Sequence, residues 1–325
     1  MKFDVIIGNP PYQLDTGGAG KQAKPIYNLF VEQAIKLESR YLVMIIPSRW
    51  FAGGMGLDEF RTKMMNDKHI TKIVDFTNAK DCFPQNSISG GVCYFLRENE
   101  KVDSCEFINI HTKGTSISKR PLNEFSILVR YNESVSIIRK VIGANEELLS
   151  STISPLMPFG LSTNYRGTRN RENKEQLVLH ASDGITYINK GEISAGHSLV
   201  NKYKILISKT SAEHAGEPGK DGTFKILTAS LKVIEPNEVC THSYFIIGSF
   251  NKKKVAENLL LYLKTKFVRF LLLQAISSIN LSKLAFLFVP IQDFTQEWTD
   301  EKLYKKYKLT KDEIAFIESM IKPME

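Results

Sequence analysis

Cysteine and tryptophan are scarce in this chain, four and two among 325 residues. Cys82, Cys93, Cys105 and Cys240 fall neither into a Cys-x-x-Cys pair nor at Cys/His ligand spacing. That excludes a zinc ribbon or a disulfide framework and points to reduced thiols in a cytoplasmic protein. His197, His214 and His242 have no carboxylate or cysteine at ligand spacing either, so no metal is expected. No signal peptide precedes the first strand. Long unbroken apolar runs are also missing. The most apolar stretch, Leu259 to Ile279, is interrupted by Lys264, Lys266 and Arg269, which makes it a core helix and not a membrane span. Gly17-Gly18-Ala19-Gly20-Lys21 is no phosphate loop: no glycine stands five before Gly20, and Gln22 occupies the place of the magnesium-binding Ser or Thr. A loop beside the site, ordering on a ligand or simply disordered, is expected from Gln13 to Lys24.

What the chain does have is length for two domains and a basic surplus, 43 Lys+Arg against 35 Asp+Glu, with a pI near 9.1. Such a surplus favours a polyanionic partner without identifying one. Its opening stretch is the most informative. Phe3-Asp4-Val5-Ile6-Ile7-Gly8 reads as a buried parallel strand, apolar on both faces. It stops at Asn9-Pro10-Pro11-Tyr12, because prolines lack the N–H that a ladder needs. The chain therefore leaves the sheet at the carboxyl end of a strand, where open α/β sheets keep their ligands. Asn9 offers a side-chain carbonyl, Pro10 a backbone carbonyl, and Tyr12 a flat face with a polar tip. Two acceptors beside an aromatic plate suit an exocyclic amine on a flat heterocycle. The plainer alternative is an Asn-Pro-Pro turn after a buried strand.

Further on, Pro25 opens a helix with Ile26, Leu29, Phe30, Ala34 and Leu37 facing a core. Strands are expected at Tyr41 to Pro47, His69 to Phe76, Ser89 to Leu96 and Cys105 to Ile110, with a helix from about Asp58 to Asn66. That alternation implies a parallel sheet with right-handed crossovers. A helix near Ser134 to Gly143 precedes a loose boundary near Ser150. Residues 1–150 and 151–325 are thus expected as two domains, α/β followed by α+β. Short β-like runs follow at Gln176 to His180, Tyr203 to Ser208 and Phe224 to Ala229. Between them lie Arg166, Arg169, Arg171 and Lys174, then Lys202, Lys204, Lys209 and Lys220. Arginines among Tyr and Asn suit phosphates and base edges, although a solvated basic loop would look the same. A strand (Tyr244 to Ser249), a long helix (Val255 to Ser277), a strand (Leu284 to Val289) and a helical tail complete the chain. Thr310 with Glu313 spells a capping box.

Asn9-Pro10-Pro11-Tyr12 resembles the catalytic tetrapeptide of S-adenosylmethionine-dependent amino-methyltransferases, above all the N6-adenine DNA enzymes of restriction–modification systems. Tyr27 and Phe30, then Ile46-Pro47 and Trp50, follow in the order usual there, and the end of the chain resembles a target-recognition domain. Asp81-Cys82-Phe83-Pro84-Gln85 looks like the segment supplying a second aromatic plate, so the resemblance implies that Phe83 stacks on a flipped adenine opposite Tyr12; a loop phenylalanine plugging the core is the alternative. It also implies double-stranded DNA as partner, the four basic residues Arg166, Arg169, Arg171 and Lys174 as contacts, and a Rossmann-like catalytic sheet in residues 1–150. One family element is missing. No strand–Gly-x-Gly–helix segment holds the cofactor, and Gly53-Gly54-Met55-Gly56 has neither a preceding acid nor a convincing helix register. The chain is therefore expected to be the carboxyl-terminal part of such an enzyme, a fragment or half-enzyme completed by an amino-terminal methyltransferase half or a nuclease subunit. Two other readings remain: a non-catalytic specificity subunit, and methylation of ribosomal RNA guanine or a glutamine side chain.

Overall fold

The structure is a computed structural model and describes residues 3–14, 24–86, 88–209, 218–219, 221–227, 230–276 and 281–324. The expected loop core at 15–23 and the residues Lys220 and His214 lie outside these. The chain divides into two compact units, Met1–Ser136 and Ile137–Glu325.

In the first unit the elements are β1 (Val5–Gly8), α1 (Tyr27–Lys36), β2 (Tyr41–Pro47), α2 (Asp58–Asn66), β3 (Ile70–Phe76), β4 (Val92–Glu98), β5 (Cys105–His111) and β6 (Gly114–Arg120). The helix α3 (Asn132–Gly143) crosses the division. The strands form one sheet in the order β1-β2-β4-β3-β5-β6. β1 runs parallel to β2 and β3 parallel to β5. β4 runs antiparallel to both its neighbours, and β6 antiparallel to β5. The sheet is therefore mixed, not parallel as expected. Between β3 and β4 the chain forms only a short 3-10 turn, Ala79–Asp81. Without a crossover helix, β4 can return only antiparallel.

One sheet face packs under α1 and α2 around Leu42, Ile46, Phe95, Ile73 and Phe107, with Trp50 and Phe60 filling the layer. α1 turns a different stripe inward from the one expected. Tyr27, Val31 and Ala34 are buried, whereas Leu29, Phe30 and Leu37 are exposed. β1 is a further correction: it is the outer strand, with Ile6 against the core but Val5 51% and Ile7 77% exposed. Among the described residues its free edge pairs with nothing. Arg120 is buried over the Phe107 ring and donates to Asn132 Oδ1 and the Val129 carbonyl.

The second unit contains β7 (Leu177–Ala181), β8 (Gly184–Ile188), α4 (His197–Val200), β9 (Tyr203–Ser208), β10 (Lys232–Ile234), β11 (Glu238–Cys240), β12 (Tyr244–Phe250), α5 (Lys253–Lys264), α6 (Lys266–Ala275), α7 (Asp300–Lys306) and α8 (Lys311–Met320). Two three-stranded sheets, β10-β9-β12 and β11-β7-β8, share a core of Phe159, Leu179, Leu206 and Ile246. The expected long helix is two helices, broken where Thr265 accepts the Val268 N–H and caps the second. Arg269 is indeed inside, its charge shielded by the Lys264 and Lys322 carbonyls. Lys283–Phe286 is a 3-10 turn, so no strand forms there. Of the expected run Phe224 to Ala229, residues 228–229 lie outside the described ones, and Phe224 forms an isolated bridge to Ile321. The capping box at Thr310 and Glu313 is present in both directions, at 3.2 and 2.7 Å. No helix of the described residues is long and apolar enough to cross a membrane.

Candidate active site

β1 and β2 lie side by side and parallel, so their carboxyl ends open onto the same spot. From β1 the chain continues as Asn9-Pro10-Pro11-Tyr12, and from β2 as the 3-10 turn Ser48–Phe51. Between them is a cleft of about 490 Å³, lined by Asn9, Pro10, Pro11, Tyr12, Arg49 and Phe83 among others. That volume is within the range of about 300–1,000 Å³ typical of ligand sites. The structure thus brings the tetrapeptide and Phe83 together, although they lie far apart in sequence. Phe83 is set by its N–H on the Ala79 carbonyl at 2.8 Å, after a turn that Asn78 caps at Lys80.

Tyr12 is held by a chain of edge-on aromatic contacts. Its ring meets Tyr27 at 6.5 Å, Tyr27 meets Phe60 at 6.0 Å, and Phe60 meets Trp50 at 5.9 Å. Each such contact adds a little orientation beyond simple burial. The Tyr12 carbonyl accepts the Ile26 N–H at 3.1 Å, and Leu14 N–H reaches the Lys24 carbonyl at 3.1 Å, closing the base of the segment between them. The Tyr12 hydroxyl is buried without a partner. Burial, helped by Cys93 and Cys82, pushes its phenol up to about 12, so it stays neutral. Burial also raises Tyr27, with Arg49 opposing.

Beside the cleft, the turn after β2 is tied to the sheet through a buried carboxylate. Asp75 on β3 accepts from Ser48 Oγ at 2.7 Å, Asn109 Nδ2 at 2.8 Å, and Arg130 through both Nε (2.7 Å) and Nη2 (2.9 Å). All of this lies inside the first unit. Burial works against the Arg130 charge, but Asp75 outweighs it and the net shift is upward. Gly91 (φ +78°) makes room for the arrangement: a Cβ there would stand 2.2 Å from the Phe76 carbonyl and 2.5 Å from Arg130. The sequence reading missed this network, because Ser48, Asp75, Asn109 and Arg130 are scattered and match no motif. Arg49 was missed for the same reason.

In the second unit the four basic residues expected to touch DNA occupy one exposed loop. Arg166 donates to the Thr163 and Tyr165 carbonyls and pairs with Asp183 at 2.9 Å. Arg171 donates to the carbonyls of Asn173, Lys174 and Gln176 and lies over the Tyr187 ring. Arg169 and Lys174 are exposed on the same loop. Lys204 differs from the sequence reading. It is fully buried, with Nζ donating to the Lys202 carbonyl at 2.8 Å, and burial pushes it down to about 8. His242 Nδ1 meets Thr163 Oγ1 at 3.0 Å. All four cysteines are free thiols, and no group of metal-binding side chains occurs among the described residues.

The cofactor implied by the resemblance finds little here. Among the described residues no carboxylate lines the cleft to receive a ribose. Gly53, Gly54, Met55 and Gly56 all have positive φ, but the space beside Gly53 is filled by Arg61 Nη1 and Asp58 Oδ1 of α2. The described residues therefore do not form a cradle for S-adenosylmethionine.

Residues 1–83 match the family model described as Eco57I restriction-modification methylase. An "uncharacterized adenine-specific methylase" of Mycoplasma pneumoniae is 49% identical over 149 residues, covering 44% of this chain. The chain spans only about a third, 35%, of that curated relative. Among solved structures, the type IIG restriction endonuclease BpuSI is similar over 94% of this chain and 49% of its own, at 13% identity and a TM-score of 0.37. The type IIL restriction–modification enzyme MmeI, in complex with DNA, is similar over 79% of this chain and 42% of its own, at 10% identity and a TM-score of 0.40.

Proposed function

We propose that this chain carries the base-receiving part of a site-specific DNA methyltransferase that modifies the N6 amino group of adenine in a restriction–modification system. The observation that supports it most is the assembly of Asn9, Pro10, Tyr12 and Phe83 around one cleft at the carboxyl end of β1. The adenine amino lone pair is delocalised into the ring, so the group is a poor nucleophile. Hydrogen bonds from its two protons to Asn9 Oδ1 and the Pro10 carbonyl would localise that pair, an interaction that strengthens toward the transition state. The base must leave the duplex to reach the cleft, at a cost of a few kcal/mol. Stacking on Tyr12 and Phe83 would offset this, at about 1–3 kcal/mol per base stacked on an aromatic. The basic loop with Arg166, Arg169, Arg171 and Lys174 would follow the duplex backbone.

S-adenosylmethionine is the expected donor and would supply a sulfonium-activated methyl group. Since the described residues do not cradle it, a complementary methyltransferase segment would hold it. The free edge of β1, with Val5 and Ile7 exposed beside it, is the natural place for such a segment to add a strand. The test is tritiated methyl transfer to unmethylated duplex DNA, with and without the product of the gene upstream, scoring N6-methyladenine in the nucleoside digest. Transfer that needs both chains and fails with Asn9→Ala supports the proposal. Transfer by the upstream product alone, or by the two chains together undiminished by Asn9→Ala, would leave this chain as a DNA-binding specificity subunit.

A further inference from the structure

Three of the four residues in the turn Ser48–Phe51 have interior tasks. Ser48 bonds Asp75, while Trp50 and Phe51 fill the core. Arg49 alone is half-buried and lines the cleft beside Asn9, Tyr12 and Phe83. Its Nε is shut off from solvent and has no hydrogen-bond partner among the described residues. Among the described residues no acidic side chain lines the cleft. Asp75, the carboxylate nearest in the network of that turn, already has both oxygens occupied by Ser48, Asn109 and Arg130. A guanidinium N–H hidden from water without an acceptor is unfavourable, and few such groups persist in folded proteins without a use. An oxyanion in the cleft would not reach that enclosed Nε, but it would balance the charge of a half-buried guanidinium that lines the cleft and has no ion pair among the described residues.

We propose that Arg49 receives a phosphodiester oxygen of the extruded deoxyadenosine, so that the cleft takes a nucleotide and not a bare base. This rests on the reading of the cleft as an adenine receptor and names a second point of attachment within it. The planar fork of arginine suits a phosphate, which it can grip through two N–H groups at once. The amide of Asn86 and the hydroxyl of Ser89 line the same cleft and add neutral donors. A phosphate is covalently joined to the sugar of any base that Tyr12 and Phe83 would stack, so it arrives with the base. Phosphate contacts set register and orientation without reading sequence. Arg49 would therefore act as a positioning residue for the amino group facing Asn9.

The experiment uses the chain itself and small probes. Deoxyadenosine and its 5′- and 3′-monophosphates are titrated by NMR into the wild type, Arg49→Gln and Arg49→Lys. One of the monophosphates should bind the wild type roughly tenfold more tightly than the nucleoside, as a charge-assisted hydrogen bond allows. Arg49→Gln should erase that gain, with thermal unfolding showing that the variant is folded. Arg49→Lys should keep part of it. A phosphate that adds nothing, or a gain that survives in Arg49→Gln, overturns the inference and leaves the adenine reading intact. If neither nucleoside nor nucleotide binds the wild type, the adenine reading falls and this inference with it.

Discussion

At the scale of single residues, the proposed function divides the work between Asn9, which would polarise the amino group, and Tyr12, which would hold the base. Replacing Asn9 with Ala removes an acceptor that acts mainly in the transition state, so transfer in the completed enzyme should fall by roughly 100-fold. Duplex affinity should barely change, because phosphate contacts elsewhere supply most of it. Comparison of kcat with the DNA dissociation constant checks this; an equal loss in both would mean that Asn9 serves binding instead. A second prediction concerns Lys204, buried with its ammonium pushed from 10.5 down to about 8. The unfolded chain holds that proton up to higher pH, so the lysine favours the folded state increasingly from pH 8 to 10.5 and disfavours it below 8. Measured against Lys204→Met, the wild type should gain stability over that window in urea titrations. A difference constant from pH 7 to 11 would contradict it.

At the scale of elements, the Asp75 network joins β3, β5, the turn after β2 and Arg130. Asp75→Ala would leave Arg130 with a largely buried, unpaired charge, a loss of about 3–5 kcal/mol by analogy with broken buried pairs. Thermal unfolding measures this, and a loss below about 1 kcal/mol, the worth of an exposed pair, would show that the network is not a structural tie.

Much at this scale could be read from the sequence. β2 and α2 fall where strand and helix were expected, because Tyr41 to Pro47 is a bounded apolar run and Asp58 to Asn66 has a clear amphipathic face. The inward stripe of α1 could not be chosen, since apolar residues occupy two stripes and periodicity does not say which meets the sheet. The break at Thr265 hid inside the stretch Leu259 to Ile279 because its interruptions at Lys264, Lys266 and Arg269 fit one amphipathic helix as well as two; its sign is a threonine three residues before Val268. The antiparallel β4 was legible in principle: the linker from Thr77 to Gly91 carries no helical period. Asn9 to Tyr12 stood out because two adjacent prolines end a strand abruptly. Arg49 and Asp75 did not, because their roles come only from what the fold sets beside them.

For the whole molecule, the exposed side chains of β1 matter most. Ile7, 77% exposed, stabilises little in this chain. Ile7→Asp should change its stability by no more than about 0.5 kcal/mol, as for ordinary surface substitutions. If a complementary segment adds a strand at that edge, the same change should abolish reconstituted methyl transfer. Full activity with Ile7→Asp would place the contact elsewhere.

The proposed grip of two oxygens on the adenine amino group can be tested without knowing the recognition sequence. Deoxyadenosine and purine deoxyriboside differ only by that amino group, and their affinities for the wild type and Asn9→Ala can be compared by NMR titration. Loss of the amino group should weaken binding to the wild type by roughly tenfold, the worth of one to two hydrogen bonds, and should matter much less in Asn9→Ala. Equal affinity of the two nucleosides for the wild type would contradict the account.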